Sequence, residues 1–260
     1  MATGFIVESE VLVGSVEHLN VITTVDTIRE TYAFDVNTLM ADSAFATGPN
    51  IARLEERGIE FLSPLAEMTC ENNPAVRDDS KVPVAAKDLK RLPINPQTKK
   101  FDKLAFVYDA DADCFHCPAG KTLSRSGQET RQTARGPVLH VIYFGDECDG
   151  CELASQCRKA PDAKNGRKVT RDEHEEARKR HRDHMKEPES TDRYKQRQHF
   201  GEMPFLVMKV CFDMRRFLLR GLEGVQAEWQ WCCTAFNLKK LMALMAALRA
   251  EQYKKVKIER

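Results

Sequence analysis

The sequence lacks the features that mark membrane-spanning and secreted proteins. Nowhere in its 260 residues does a run of 18 apolar residues occur, so no segment is predicted to cross a bilayer. The first residues carry neither a basic stretch nor a cleavage motif, so no signal peptide is predicted. Nine cysteines in such a chain favour metal ligands or free thiols over disulfides. We therefore expect a cytoplasmic protein that has no membrane partner.

A strong overall charge is absent as well. The formal net charge is +1, from 40 lysines and arginines against 39 aspartates and glutamates. This balance hides an asymmetry, because residues 165–220 are dense in basic side chains whereas the first 80 residues lean acidic. A basic segment is typical of proteins that contact phosphate groups, although a solvated helix has the same composition.

The first quarter of the chain predicts an α/β unit with a parallel sheet. Four strands are predicted from β-branched or short apolar runs, at residues 5–13, 19–25, 37–41 and 59–64. One helix is predicted over residues 26–33 with Asp26 as its N-cap, and a second from Asn50 to Gly58. Asp42 follows the third strand, at the sheet edge where α/β proteins place their sites.

The middle of the chain predicts an insertion. Residues 66–105 contain four prolines and little periodicity, so they are predicted as a linker. A hairpin is predicted over residues 106–127 with Gly120 near its tip, and a strand at residues 138–144. Three aspartates alternate there as in a calcium loop: Asp109, Asp111 and Asp113. The glycine and the distant glutamate of such a loop are absent, so we expect a solvated turn.

The last third of the chain is predicted to be helical. Residues 171–187 form a charged helix that Pro188 ends. Three histidines at helical spacing are expected on its surface: His174, His181 and His184. An apolar stripe over residues 222–248 predicts one long amphipathic helix, with Asn237 as a candidate break. Residues 251–260 are predicted as a frayed basic tail.

Five cysteines lie at spacings typical of a zinc site. Cys114 and Cys117 form one Cys-x2-Cys knuckle, Cys148 and Cys151 form another, and Cys157 follows. Tetrahedral zinc takes four thiolates, two from each tight turn, so the five compete for four positions. Reduced cysteines packed as small apolar side chains are the alternative. The remaining cysteines have no partner at this spacing and are expected in the core: Cys70, Cys211, Cys232 and Cys233.

One carboxylate, Glu202, lies among cations. Tyr194 and Arg197 precede it, and Lys209 follows seven residues later, two turns along a continuous helix. Pro204 predicts either a kink or a new helix that begins near Glu202, whose positive end would favour the ionised carboxylate. Such a group suits a metal ion beside a phosphate backbone, and a satisfied glutamate on a solvated helix is the alternative.

These residues carry a family resemblance. The stretch YKQRQHFGEMPFLVMK, followed by RRFLLRGLEGVQAEW and AFNLKKL, resembles the C-terminal signature of bacterial insertion-sequence transposases of the DDE type. LMADSAFATGPNIARLEERGIEFLSPL resembles the family's second-acid segment. The resemblance covers residues 30–65 and 105–245 and is closest to the subgroup with a cysteine-rich insert. The chain departs from the pattern at Leu206 and Asp213, where glycine is usual.

The resemblance implies a ribonuclease H-like α/β fold and DNA transposition. Asp42 and Glu202 would be catalytic acids that hold Mg²⁺ or Mn²⁺, which activates water and then a 3′-hydroxyl for attack on phosphodiesters. The implied partner is DNA, as transposon ends and target, with a homodimer in the complex and a location at the bacterial nucleoid. The side chains implied to contact DNA are Tyr194, Arg197, Lys209, Arg215, Arg216 and Arg220. The implied zinc ligands are Cys117, Cys148, Cys151 and Cys157, which leaves Cys114 as a spare and His116 as an outside candidate.

No acidic residue before Asp42 is predicted to correspond to the family's first catalytic aspartate. Three strands and a helix before Asp42 need about 40 residues or more, and only 41 residues precede it. We therefore expect a core that is incomplete at the N-terminus, as in a truncated copy, and no transposition by the chain as it stands. A zinc-containing DNA-binding remnant is the alternative; a host nuclease of this fold would not need the cysteine insert.

The predicted organisation has four parts. They are a partial sheet with the second acid at residues 1–65, an insert with the linker and zinc module at 66–164, C-terminal helices that complete the core at 165–250, and the tail at 251–260.

Overall fold

The structure is a computed structural model that describes residues 4–14, 17–65, 72–133, 136–145, 147–160 and 166–258. It divides into two compact units: Met1–Ala66 with Ala177–Arg260, and Glu67–Glu176. The first unit is mostly helical around two parallel strands, and the second is built on an antiparallel sheet. The fold is mixed α/β, as predicted. In the described residues no helix is long and apolar enough to cross a membrane.

The N-terminal segment forms a helix where strands are predicted. Helix α1, Val21–Tyr32, replaces the predicted strand at residues 19–25 and takes in the predicted helix at residues 26–33. Its buried residues are Val21, Ile22 and Val25. Val25 lies four residues after Val21 and three after Ile22, so the three side chains lie on one helical face, and this face packs into the core of the first unit. Tertiary packing therefore outweighs the strand preference of β-branched side chains.

Residues 5–13, also predicted as a strand, form no regular element. Ile6 donates its N–H to the Asn237 side-chain oxygen at 2.9 Å and accepts from the Asn237 side-chain nitrogen at 2.7 Å. Val11 donates its N–H to the side-chain oxygen of Gln226 at 2.7 Å. These amides satisfy backbone groups that a neighbouring strand would otherwise bond. Neither predicted N-terminal strand is therefore present among the described residues.

The predicted N-caps of both early helices are wrong. Asp26 lies inside α1 and forms an ion pair with Arg57 at 3.0 Å. Helix α2, Gly48–Glu56, is capped by Thr47, whose hydroxyl accepts from the N–H of Asn50 at 3.3 Å. A threonine one residue before the helix can accept from the third helical N–H, and the asparagine already belongs to the first turn.

The parallel unit is present as predicted. Strand β1, Thr38–Met40, pairs in parallel with β2, Glu60–Leu62, and α2 lies between them in the chain. Gly58, with φ of +66°, follows the end of α2 in the left-handed conformation that favours glycine. Asp42 follows β1 by two residues and therefore lies at the carboxyl end of that strand.

The second unit is a five-stranded antiparallel sheet with its strands in chain order. The strands are β3 Val107–Asp109, β4 Cys114–His116, β5 Thr122–Thr133, β6 Gly136–Gly145 and β7 Lys168–Asp172. A short helix, α3 Ala154–Cys157, lies between β6 and β7 in the chain. The predicted hairpin and the strand at residues 138–144 are confirmed, and Gly120, with φ of +76°, lies in the turn between β4 and β5.

The segment predicted as a linker is irregular but packed. Residues 72–105 contain two 3-10 helices, Ala86–Arg91 and Lys103–Ala105, and no longer element. Their apolar side chains nevertheless enter the core of the second unit, where Phe101 is buried beside Phe115 and Tyr143. The frequent prolines prevent regular structure without preventing burial.

The turn between β3 and β4 is held by hydrogen bonds, not simply solvated as predicted. One carboxylate oxygen of Asp113 accepts from the hydroxyls of Tyr108 and Tyr143, at 2.9 and 2.5 Å. The hydrogen bond from Tyr143 lowers the pKa of the Asp113 carboxyl. Asp113 has φ of +44°, which aspartate tolerates better than most residues.

Four helices complete the first unit: α4 Glu175–Lys186, α5 Pro188–Lys195, α6 Met203–Cys211 and α7 Leu222–Ile258. Helix α4 begins later than predicted because residues 171 and 172 belong to β7. Pro188 ends α4 and starts α5, where a missing N–H costs nothing. Helix α7 runs through Asn237 without a break and extends through the predicted tail as far as Ile258.

His181 is buried, although it is predicted on the surface. Its ring stacks on Phe61 with centroids 5.3 Å apart, and its Nε2 lies 2.7 Å from the carbonyl of Ser63. Burial lowers the pKa of His181, so the neutral ring donates to that carbonyl. The histidine joins α4 to the end of β2.

Candidate functional site

Asp42 is oriented by its own loop. One carboxylate oxygen accepts from the N–H of Ala44 at 2.9 Å, and its backbone carbonyl accepts from the hydroxyl of Ser63 at 2.6 Å. Ser63 follows β2, so both strand ends hold this residue. The Asp42 side chain remains 49% exposed, and its second oxygen is therefore accessible to a ligand.

Glu202 lies at the start of a helix, as one of the two predicted alternatives states. A single π-helical turn, Gln198–Glu202, precedes α6, and Pro204 lies in the first turn of α6. The glutamate is the residue before the first helical position, where unpaired N–H groups and the helix dipole favour negative charge. π-Helical turns are rare overall, and those that do occur are often found at functional sites.

Arg197 lies between the two acids. Its two terminal nitrogens are each 3.8 Å from a carboxylate oxygen, one of Asp42 and the other of Glu202. Both distances exceed those of hydrogen bonds, so the contacts are electrostatic. The structure thus brings together two acids that lie far apart in the sequence, with one guanidinium facing both.

Arg193, which the sequence does not single out, anchors this arrangement. It donates to Glu60 at 2.7 Å and to the Thr38 hydroxyl at 2.9 Å, across the β1–β2 pair. Burial raises the pKa of the Glu60 carboxyl, but hydrogen bonds from Thr38 and Arg193 outweigh this and leave the pKa below its ordinary value. Arg197 follows one helical turn later, so the same face of the chain points toward Asp42.

The chemistry of the two acids fits a hard divalent ion. Mg²⁺ takes oxygen ligands and commonly binds through one or two carboxylates while it keeps several waters. Asp42 and Glu202 are both exposed enough to offer an oxygen. Among the described residues, neither belongs to a group of three candidate ligand atoms within 4.8 Å of one another. This part of the chain therefore supplies two acids to the site.

The other predicted DNA-contacting residues lie around α5, α6 and the loop that follows. Tyr194 is half-buried on α5, and Lys209 is exposed on α6. Arg215 donates to Asp213 at 2.9 Å in the loop, and Arg216 and Arg220 are exposed there. Of this predicted set, Arg197 is the residue for which the structure gives a contact with an acid of the pair.

Asp213 explains one departure from the family pattern. It has φ of +51°, in the left-handed region that glycine enters without strain. Aspartate is among the few other residues that adopt this conformation with any frequency. The backbone shape that favours glycine is therefore retained here with a different residue.

Four of the five clustered cysteines line one pocket of the second unit. Cys117 follows β4, Cys148 and Cys151 lie in the turn after β6, and Cys157 ends α3. The pocket is also lined by Arg167, which donates to the carbonyls of Cys157 at 2.8 Å and Phe101 at 2.9 Å. The structure thus collects the four predicted zinc ligands on one pocket.

Two thiols of this pocket, those of Cys117 and Cys157, are destabilised as free anions. Burial raises the pKa of Cys117, and it raises the pKa of Cys157 to about 11, with the other three sulfurs adding to the rise. A buried cation would relieve this repulsion, which fits a thiolate zinc site. Yet within the described residues the group of three ligand atoms lying within 4.8 Å of one another is a different one. The four sulfurs are therefore more widely spread than in a closed site.

The remaining cysteines behave differently. Cys233 is buried in a cluster with Met208 and Phe236, as predicted, and Cys232 packs against it. Cys211 is exposed, so its predicted place in the core is wrong. Cys70 lies outside the described residues.

The fold and the site together define a mixed α/β protein with paired carboxylates at a strand end, consistent with a ribonuclease H-like transposase core. The sequence model of the family described as "Transposase DDE domain" matches residues 116–242. The match over that segment supports a DDE-type transposase and, with it, divalent metal use and DNA as partner. The match includes Glu202 and starts after Asp42. No curated protein and no solved structure matches the chain.

We expect the two arginines of this site to differ in their effect on stability. Arg193→Ala should lower the free energy of unfolding of the first unit by about 1–2 kcal/mol, because Glu60 loses a charge-assisted hydrogen bond. Arg197→Ala should change it by less than about 0.5 kcal/mol, because its partners are exposed and 3.8 Å away.

Tryptophan fluorescence during denaturant unfolding is the measurement, because both tryptophans, Trp229 and Trp231, lie on α7 in this unit. Equal losses for the two variants would contradict the assigned roles.

Proposed function

We propose that this chain carries part of the catalytic site of a DNA transposase, with Asp42 and Glu202 as two of its metal-binding acids. The observation that carries the proposal is the position of Arg197, which faces both carboxylates at 3.8 Å. A guanidinium between two exposed acids has little value for stability. Its value lies in keeping acids from distant segments close without neutralising them by hydrogen bonds.

Each residue has a separate task in this proposal. Asp42 and Glu202 hold Mg²⁺ or Mn²⁺, which on binding supplies the activation of water and then of a 3′-hydroxyl for in-line attack on phosphodiesters. The N–H of Ala44 fixes one oxygen of Asp42, which leaves the other for the ion. Glu202 is the residue before the first position of α6, and its side chain is exposed to an ion. Arg197, which faces both acids, would then be available to a DNA phosphate.

Two carboxylates limit what this chain does by itself. Two-metal phosphoryl transfer needs enough carboxylate oxygens to hold two ions about 4 Å apart, and the described residues bring two acids to the site. The acids nearest in sequence to the expected position of the family's first catalytic acid are Glu8, Glu10 and Asp26. Asp26 is paired with Arg57 instead. The chain alone is therefore proposed to be inactive in DNA cleavage; a zinc-containing DNA-binding remnant is the alternative function.

The basic segment of residues 165–220 is proposed to bind the DNA backbone. Lys209 on α6 and Arg216 and Arg220 on the next loop are exposed, so their charges are available to phosphates. Contacts of this kind carry no sequence information. A homodimer on the DNA and a location at the nucleoid follow from the same proposal.

The four cysteines of the second unit are proposed to hold one structural zinc. Cys117, Cys148, Cys151 and Cys157 supply four thiolates, the full set of a closed tetrahedral site. Because their sulfurs are more widely spread than in such a site, the ion would draw the turn after β6 toward β4. The zinc would thereby fasten the sheet of this unit.

DNA affinity should fall steeply with salt, because lysine and arginine contacts release counterions. The double variant Arg216→Ala and Arg220→Ala should weaken binding of unrelated duplexes to a similar extent and reduce the salt slope by about 2. Fluorescence anisotropy at several salt concentrations measures both. Arg131→Ala, an exposed arginine of the second unit paired with Glu129, is the matched control and should leave the slope unchanged. Binding that is indifferent to salt would overturn this part of the proposal.

The isolated chain should not nick supercoiled plasmid in Mg²⁺ or Mn²⁺ above the level of an Asp42→Ala control, because a third acid is needed. Gel separation of nicked and supercoiled forms measures this. Metal-dependent nicking that is lost in Asp42→Ala would mean that the chain supplies the missing acid, and Glu8, Glu10 and Asp26 would be the first positions to substitute.

The double variant Cys148→Ser and Cys151→Ser should contain one zinc equivalent less than the unsubstituted chain, because a closed site does not survive the loss of two ligands. Elemental analysis of the purified full chain measures the ratio. Cys232→Ser, in the first unit, is the control and should keep the full zinc content. Undiminished zinc in the double variant would refute the assignment.

A further inference from the structure

The hairpin of β3 and β4 carries a second set of metal-ligand side chains. Asp109 ends β3, and Cys114 and His116 are the first and last residues of β4. Alternate residues of a strand point to the same side, so Cys114 and His116 share a face. Asp109 is paired with Cys114 across the ladder. One oxygen, one sulfur and one nitrogen of these residues all lie within 4.8 Å of one another.

Two of the distances between these atoms match those around a tetrahedral ion. His116 Nε2 lies 3.5 Å from Asp109 Oδ2 and 3.8 Å from Cys114 Sγ. Zinc bonds of about 2.1 Å to nitrogen and oxygen and 2.3 Å to sulfur would place these pairs about 3.4 and 3.6 Å apart. The observed separations are therefore within about 0.3 Å of those that the ion requires.

The surrounding structure orients one of the ligands, Asp109. Asp109 Oδ1 accepts from the N–H groups of Asp111 and Ala112, each at 3.1 Å, which leaves Oδ2 directed at His116. Fixing a ligand by hydrogen bonds to its second polar atom is usual in metal sites. His116 is 1% exposed, and its Nδ1 is buried without a hydrogen-bond partner.

A simple pair of Asp109 and His116 explains less of this geometry. A neutral ring has one proton to donate from Nε2, yet that atom faces both a carboxylate and a thiol. The 3.5 Å separation from the carboxylate oxygen is long for a hydrogen bond to an atom so deeply buried. An ion at the centre of the three atoms would satisfy all of them at once.

We propose that Asp109, Cys114 and His116 bind one zinc ion at a site separate from the four cysteines. Sulfur, nitrogen and oxygen together select a transition metal such as zinc over Mg²⁺. Three protein ligands leave the fourth position open. Cys114 and His116 line a cleft with Lys81, Thr122 and Arg125, and the four-cysteine pocket is lined by a different set of residues. Water from the cleft completes the coordination, and the ion fastens β3 to β4.

Zinc content of the full chain tests this proposal. His116→Gln and Asp109→Asn should each lose one zinc equivalent relative to the unsubstituted chain after dialysis against a weak chelator. Asp111→Asn is the matched control, because it removes an exposed carboxylate from the same turn and should keep the full content. Zinc content that is unchanged in both His116→Gln and Asp109→Asn would overturn the proposal.

A second measurement covers variants that fold poorly and separates this site from the other one. Full chain with Cys148→Ser and Cys151→Ser is loaded with Co²⁺, whose visible absorption reports four-coordinate binding and whose near-ultraviolet absorption reports a thiolate ligand. Both bands should appear in this background and disappear when His116→Gln is added. Absence of the bands in the first protein would contradict the Asp109–Cys114–His116 site, whereas the four-cysteine proposal and the transposase assignment would stand.

Discussion

The contact of Arg193 with Glu60 and Thr38 is the constraint on which the site depends. It spans the two parallel strands and holds α5 against them at 2.7 and 2.9 Å. Arg197 lies one helical turn after Arg193, and Glu202 follows Arg197 in the chain. A shift of α5 would therefore move an arginine and an acid away from Asp42 together. These hydrogen bonds lie one helical turn away from the acids proposed to bind metal, so they do not neutralise the charges of Asp42 and Glu202.

The two acids proposed to bind metal are more exposed than the glutamate that anchors α5 to the strands. Asp42 and Glu202 keep 49% and 63% of their side-chain surface in solvent, whereas Glu60 keeps 26%. A group that must bind an ion and a phosphate has to be reachable, and a group that holds two elements together works best when water is kept away.

Much of the site follows from local sequence signals. The strand before Asp42 and the helix after it are recognisable from the sequence. Pro204 leaves two alternatives, a kink or a new helix near Glu202, and the structure has the second. The collection of four cysteines on one pocket likewise follows from two knuckles at zinc spacing. These signals lie within a few residues of the groups they place.

The features that were not predicted correctly depend on contacts between segments that are distant in the sequence. Residues 19–25 have β-branched side chains, yet Val21, Ile22 and Val25 gain more from packing one helical face against the rest of the unit. His181 has a charged neighbourhood in sequence and an apolar one in space. Arg193 looks like any other surface arginine until its partners on β1 and β2 are known. Asp109, Cys114 and His116 were read separately, as a turn residue, a spare thiol and an outside candidate, because their common point exists only after β3 pairs with β4.

The central claim is that Asp42 and Glu202 act as one metal-binding pair. The most direct test measures Mn²⁺ binding to the full chain through the loss of the electron paramagnetic resonance signal of the free ion. The unsubstituted chain is compared with Asp42→Asn, Glu202→Gln and the double variant. If both acids bind the same ion, either single substitution should weaken the same binding step. The affinity of the double variant should then be only slightly below that of the weaker-binding single variant, since the effects of coupled groups are not additive. Independent, additive losses, or binding that neither substitution affects, would contradict the account.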